Sequence, residues 1–385
     1  MYVFKKKRNI YLAKIFDLIG SAIFYPFGLK RSELPEKVRN ILVIRLDGIG
    51  DVIFSTPLYE ALKKKHPDAK LTTLVSIQAK GIIEMNPYVD NVLVLKKTWF
   101  STISWIKFDE ILSILKKIRK GNFDIGIDLR GDIRNILLML FGKVGYRVGY
   151  GITGGGFLLN KVLSYEKDIH EVDKNVKLIE ELGCEVVDKS LQIYYSQSDE
   201  ESVINLLERE HVGKGDTLLA IHMEVGYPSK SWKKERFIQL LQEMNKRDYG
   251  KIVLIGTGNN NTNFHNIHEQ LKFNYINTIG KFNIRQLAAL LKRCEVLISC
   301  DSGPVHVATA VGTPCIVLFS GTNNLKQWGP FNNNVNRVIY KDVKCSPCEM
   351  RICPQSTHLC MDKIKAEDVL FELDAIFGSA AGVVK

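Results

Sequence analysis

At 385 residues, 45% hydrophobic and 25% charged, the chain has the length and composition for two or three ordinary globular domains, which excludes a disordered polymer or a fibre. The formal charge of +11 is concentrated. The first forty residues hold nine Lys or Arg against three Asp or Glu, an excess of six, and no basic stretch elsewhere is interleaved with aromatics, so nucleic acid is not an expected partner.

Residues 1–38 form a segment of their own. Lys5-Lys6-Lys7-Arg8 stands beside an apolar stretch from Ile10 to Phe27 that is broken by Lys14, Asp17 and Pro26, too short and too interrupted for a span of ~20 apolar residues. It also lacks the order of a signal peptide, so persistent disulfides are not expected. Two readings stand side by side: an amphipathic segment lying in an anionic headgroup layer with Phe16, Ile19, Ile23 and Phe24 buried, or a helix docked on the protein's own sheet.

Residues 41–46 (Ile-Leu-Val-Ile-Arg-Leu) have the continuous apolar character of a buried parallel strand. They run into Asp47-Gly48-Ile49-Gly50-Asp51, a glycine loop with a carboxylate at its far end, followed by Thr56-Pro57 and a helical pattern through Lys65. Further apolar runs at 71–75, 92–95, 124–128, 218–222, 252–255, 296–299 and 315–319 alternate with helix-length amphipathic segments, the pattern of doubly wound α/β sheets. His170-Glu171 precede a helix and would suit contact with a charged acceptor or simply a helix N-terminus. The polar stretch Ser196 to Ser202 is expected to link two domains, residues 39–200 and 201–377.

In the second half, the strand 218–222 empties into a loop carrying Lys230 before Trp232. A lysine there is placed to neutralise a departing diphosphate, or is merely solvated. Gly256-Thr-Gly258 after 252–255 is a candidate edge of a nucleotide site. Val296 to Cys300 runs into Asp301-Ser302-Gly303-Pro304 and a helix bearing His306. Such a turn leaves backbone N–H groups aimed outward at the positive end of a helix dipole, a cradle for phosphate. Two such turns, one in each half, suggest a ligand cleft between two similar domains.

Cys345, Cys348, Cys353 and Cys360 fall within sixteen residues, while Cys184, Cys294, Cys300 and Cys315 lie singly in apolar surroundings. The first four would suit a structural zinc through the Cys-x-x-Cys knuckle, or stay free thiols, because the second pair has a different spacing.

The loop from Leu46 to Pro57, the Arg147-Val-Gly-Tyr150 segment, Ser229-Lys230-Ser-Trp232, Asp301-Ser-Gly-Pro-Val-His306 and Trp328-Gly-Pro330 occur in that order. Together they resemble glycosyltransferase family 9, the lipopolysaccharide heptosyltransferases, over roughly residues 39–375. The resemblance implies a GT-B architecture, two Rossmann-like domains facing across a cleft, with the acceptor on the first and the nucleotide-sugar on the second. It also implies an inverting transfer, probable donor ADP-heptose, with no cofactor or active-site metal, onto a lipid-linked saccharide at the inner face of the cytoplasmic membrane. On this resemblance Asp51 is the catalytic base, Lys230 and Asp301 complete the catalytic set, and Gly48, Gly50, Ser302, Gly303, His306, Gly256 and Gly258 line the donor. Two rival readings on the same fold are a non-catalytic nucleotide-sugar or anionic-glycolipid binding protein and a sugar epimerase.

Overall fold

The computed structural model describes residues 2, 7–24, 33–96, 108–258, 267, 270–331 and 334–380. The chain divides into two compact units, Met1–Ser190 and Leu191–Lys385.

The first unit holds strands β1 (Asn40–Arg45), β2 (Lys70–Ser76), β3 (Asn91–Leu95), β4 (Ile125–Asp128), β5 (Tyr146–Gly149) and β6 (Lys161–Val162). All neighbours are parallel, in the order β3-β2-β1-β4-β5-β6. Parallel strands need crossovers, and these are helices such as Pro57–Lys65, Phe108–Lys120 and Ile133–Phe141, which cover the sheet. That covering explains why β1 reads as an unbroken apolar run: Ile41, Leu42, Val43 and Ile44 are each at most 1% exposed.

The second unit repeats the plan with β7 (Leu218–His222), β8 (Lys251–Ile255), β9 (Ile276–Asn277), β10 (Val296–Cys300), β11 (Cys315–Phe319) and β12 (Arg337–Tyr340). Its order, β12-β11-β10-β7-β8-β9, is the same winding in which the first strand lies centrally beside the fourth. In each sheet the crossover direction reverses at that central pair, and the carboxyl ends of those strands are where such folds place their chemistry.

Two expectations change. The polar stretch 196–202 is not a linker but the start of helix Gln197–Arg209. Ser196 Oγ accepts from the Asp199 N–H at 3.1 Å, and the Asp199 carboxylate accepts from the Ser196 N–H at 3.0 Å, a capping box whose residue types look like a loop in sequence. The division of the chain falls before it, after Ser190.

The N-terminal segment forms helix Lys7–Phe24, docked on the first unit by one stripe. The Asp17 carboxylate accepts from the Gly155 N–H and the Tyr2 hydroxyl, both at 2.6 Å. Phe16 and Phe24 pack on Phe157 with ring centroids 5.5 and 5.4 Å away. Gly20 makes that approach possible, since a Cβ there would fall 2.1 Å from the Phe157 ring. Phe16 is still 46% exposed, and Ile19 and Ile23, which the headgroup reading would bury in lipid, are 53% and 52% exposed on the protein.

Candidate active sites of the two units

At the carboxyl end of β1 stands Arg45, 1% exposed. Its guanidinium reaches three carboxylates: Asp47 at 3.0 Å, Asp51 at 2.8 Å and Glu171 at 3.2 Å, and it also donates to the Leu129 carbonyl at 2.8 Å. Burial alone would make this cation easier to deprotonate, but the three carboxylates outweigh it and hold its pKa above the usual range. A second shell of ions balances the acids. Arg130 pairs with Asp47, and Lys174, buried on helix Glu171–Glu180, pairs with Glu171 at 2.8 Å and lies 4.3 Å from the centre of the Tyr165 ring.

Asp51 is the most accessible acid of this group, its side chain 19% exposed where those of Asp47 and Glu171 are 2% and 5%. It sits in the first turn of the short helix Ile49–Ile53, one oxygen on Arg45 and the other accepting from the Gly48 N–H at 3.1 Å. That geometry changes the meaning of the glycines. Gly48 is extended, with φ −75°, and Gly50 lies inside the helix. The loop therefore receives its own carboxylate instead of standing open as an anion cradle. Of the two readings of His170-Glu171 the helix N-terminus holds: His170 Nδ1 accepts from the Val172 N–H at 3.2 Å as a helix cap, while Glu171 is 4% exposed and engaged with Arg45 and Lys174.

Nearby, Asp128 at the end of β4 is fully buried. One oxygen accepts from Asn135 at 2.9 Å and from the Arg130 N–H at 3.2 Å, while the other has no hydrogen-bond partner. Burial pushes its carboxyl up to about 7, and burial also raises Asp47, to about 6, against the pull of Arg130 and Arg45.

The second unit is built differently. Lys230 Nζ lies 2.7 Å from the Asp301 carboxylate, with side chains 13% and 6% exposed, and the same Asp301 oxygen accepts from Asn323 at 2.9 Å. Asp301 follows β10 directly, and helix Gly303–Val311 begins two residues later. Ser302, the cap residue of that helix, makes no capping bond. Its hydroxyl turns back to Ser299 Oγ at 2.9 Å and His222 Nδ1 at 3.1 Å. The opening of the helix is left without a side-chain cap, which is the condition under which its N–H groups suit an anion. His222, at the end of β7, also meets Ser299 at 3.1 Å, and burial lowers its pKa to about 4, so the ring is neutral near pH 7. His306 is buried one turn into the helix, at 6% exposure.

What fixes Lys230 comes from far along the chain. Every polar backbone and side-chain group of the preceding Ser229 is engaged: its N–H donates to the Arg351 carbonyl at 3.1 Å and its hydroxyl to the Met350 carbonyl at 2.5 Å. Its carbonyl accepts from Thr322 Oγ1 at 3.1 Å and His358 Nε2 at 2.9 Å. Trp232, 1% exposed, donates to the Ile364 carbonyl at 2.9 Å. The cysteine-bearing segment is thus the support of the lysine loop. The four clustered cysteines are free, one exposed, two partly buried and one buried. Among the described residues no three His, Cys, Asp or Glu are grouped to hold a metal, which favours the free-thiol reading of the cluster over the zinc one. Backbone hydrogen bonds hold the segment instead, with Cys348 and Glu349 N–H groups donating to Gly321 and Thr322 carbonyls at 3.0 and 2.8 Å.

Gly256 has a visible reason: a Cβ there would meet the Glu224 carboxylate at 2.7 Å. Glu224 accepts from the Thr257 N–H and hydroxyl at 2.9 and 2.7 Å, and Gly258 takes a left-handed φ of +72° to continue the turn. Asn259 to Asn261, the rest of that expected edge, lie outside the described residues. The Arg147-to-Tyr150 motif is structural: Arg147 donates to the Leu158 and Val144 carbonyls at 2.8 and 2.7 Å, and the Tyr150 hydroxyl to the Lys174 carbonyl.

The glycosyltransferase family 9 (heptosyltransferase) model matches residues 111–358, more than half of the chain. The chain belongs to this family. It is 23% identical over 313 residues to the lipopolysaccharide core heptosyltransferase OpsX of Haemophilus influenzae, covering 80% of this chain and 86% of that protein. It is 24% identical over 328 residues to lipopolysaccharide heptosyltransferase 3 of Escherichia coli, covering 83% and 93%. Among solved structures, a family 9 glycosyltransferase from Veillonella parvula superposes with a TM-score of 0.78 at 24% identity, over 90% of this chain and 99% of that one. E. coli ADP-heptose heptosyltransferase II gives 0.69 at 20% identity, over 89% and 99%. The two Rossmann-like units are those of the GT-B fold, and this family 9 protein is a glycosyltransferase.

Arg45 and Lys174 were not legible as site residues. The signal for Arg45 was an arginine closing a strand whose other residues are buried, two positions before an aspartate. Nothing in sequence linked it to Glu171, which is 126 positions away.

Proposed function

We propose that this family 9 protein moves a heptose from ADP-heptose onto a lipid-linked core saccharide of lipopolysaccharide, inverting the anomeric centre without a metal. The first unit would serve the acceptor and the second the donor. Asp51 takes the proton of the acceptor hydroxyl, the oxygen forms a bond to the anomeric carbon, and the bond from that carbon to the diphosphate breaks with its electron pair leaving on ADP. Lys230 and the N–H groups of Ser302 and Gly303 neutralise the leaving diphosphate, Asp301 aims the lysine, and His306 and the Gly256-to-Gly258 turn line the nucleotide side. The observation that carries this reading is the contrast in accessibility and partners: an accessible carboxylate held by Arg45 in one unit, and a lysine aimed by an aspartate beside an uncapped helix in the other. That its relatives are heptosyltransferases supports the sugar, and one E. coli relative was solved with ADP-2-deoxy-2-fluoro heptose. A lipid-linked acceptor would put the working enzyme peripherally at the cytoplasmic face of the membrane.

The test is nucleotide release from a panel of nucleotide-sugars, ADP-heptose included, with and without a deep-rough core acceptor, with Asp51→Asn run in parallel. Acceptor-dependent ADP release that disappears in the variant is the expected result. Nucleotide binding with no release from any donor would leave a binding protein, and release without acceptor would leave an epimerase.

A further inference from the structure

Helix Lys7–Phe24 is apolar on two opposite sides, and only one of them is covered. At about 100° per residue, Ala13, Phe16, Asp17, Gly20 and Phe24 share the stripe that meets Gly154 to Phe157. Tyr11, Leu12, Ile15, Leu18 and Ile19 fan out over the far side and Ile23 lies at its edge beside Phe16; the six are between 52% and 73% exposed, and Phe16 itself is 46% exposed. A helix apolar all round is normally covered all round. It does not cross a bilayer: among the described residues no helix is long and apolar enough, and Lys7, Arg8, Lys14 and Asp17 interrupt this one.

Charge selects the occupant. In the sequence Lys5 and Lys6 directly precede Lys7 and Arg8, with which the helix opens, Lys14 lies within it, and Asp17 is the sole acid among residues 1–32. That acid faces inward, its two oxygens taken by Gly155 and Tyr2. A second copy of the chain would bring two basic segments together, whereas an anionic lipid surface neutralises them. We propose that the Tyr11-to-Ile23 face is an interfacial anchor, seated among the headgroups of an anionic bilayer with its apolar side chains inward and the basic residues on lipid phosphates. The inference deepens the reading above and rests on it only for the lipid-linked acceptor. The covered stripe then has a function of its own, since it ties the anchor rigidly to the unit that carries Asp51.

The full-length protein is floated with vesicles of phosphatidylglycerol and phosphatidylethanolamine, and separately of phosphatidylcholine, beside the variant Ile15→Gln/Leu18→Gln/Ile19→Gln. Those positions are exposed, so unchanged thermal unfolding is expected of the variant. The wild type should bind the anionic vesicles and not the neutral ones, more weakly as salt rises, and the variant should bind roughly tenfold less or worse. Absence of binding, or binding that the variant retains, overturns the anchor. So does a dimer in vesicle-free sedimentation that the variant dissolves, which would make this face a contact between copies. Transfer to a delipidated core saccharide, measured in parallel, separates the two proposals: transfer without vesicle binding removes the anchor alone, and vesicle binding without transfer removes the acceptor reading alone.

Discussion

The two units wind six strands in the same order, yet the carboxyl ends of their first strands carry opposite designs. In the first, a fully buried arginine binds three carboxylates, and two further cations balance them. In the second, a single lysine–aspartate pair stands beside hydroxyls, a neutral histidine and an uncapped helix. One backbone plan therefore sets where chemistry occurs without setting its kind. A crowded ionic lattice immobilises the Asp51 carboxylate, and the sparser site leaves the first N–H groups of a helix without a side-chain cap.

The sharpest way to break this comparison is Asp51→Asn. Turnover should fall by about 10²–10⁴-fold with nucleotide affinity unchanged, as read by steady-state ADP release and by calorimetric titration of ADP. A parallel loss of ADP affinity would show that the first unit's acid serves the donor. Lys230→Met should lower kcat by roughly 10²–10³-fold, with Asp301→Asn milder because it leaves the lysine present but unaimed. Equal losses for the two would mean that Asp301 does more than orient.

Arg45→Met tests the ionic lattice through stability. Removing the central cation strands buried carboxylates, and urea unfolding should show a loss of about 3–5 kcal/mol. Lys230→Met, whose pair is more accessible, should cost far less.

The smallest effect, and the one most specific to the contrast, is its dependence on pH. The pKa of His222 is lowered in the fold to about 4. The folded state therefore binds fewer protons there, and its contribution is lost as pH falls from about 6.5 through 4. Asp47 and Asp128 are raised to about 6 and about 7. The folded state binds more protons at these carboxyls, so their contribution is fully present below about 4 and is lost as pH rises from there to 6 or 7. His222→Asn should flatten the acid-side fall in Tm, and Asp128→Asn should raise Tm at pH 8 while changing little at pH 5. The same slope in both variants would refute the assignment.

Much of this architecture was legible because buried parallel strands are written as continuous apolar runs. Residues 41–44, 218–221 and 315–319 are buried on both faces and could be read directly. β6 and β9 were not, since two residues carry no period. Asp51, Lys230 and Asp301 stand out in the sequence through ordered motifs, and the fold pairs Lys230 with Asp301. The partners that hold Asp51 were hidden because Arg45 ends a strand and Glu171 and Lys174 begin a distant helix, so only the folded chain joins them. The cysteine spacing left a structural zinc and free thiols both open, and it held no sign that backbone groups of the same segment hold Ser229.

That support has a consequence during synthesis. The groups around Asp51 lie between Arg45 and Lys174, so all of them have left the ribosome before the second unit has emerged. Lys230 emerges long before Met350, Arg351 and His358, which hold Ser229, and before Ile364, which anchors Trp232. A nascent chain arrested near residue 340 would hold the Arg45 cluster complete while the Lys230 loop still lacked its supports.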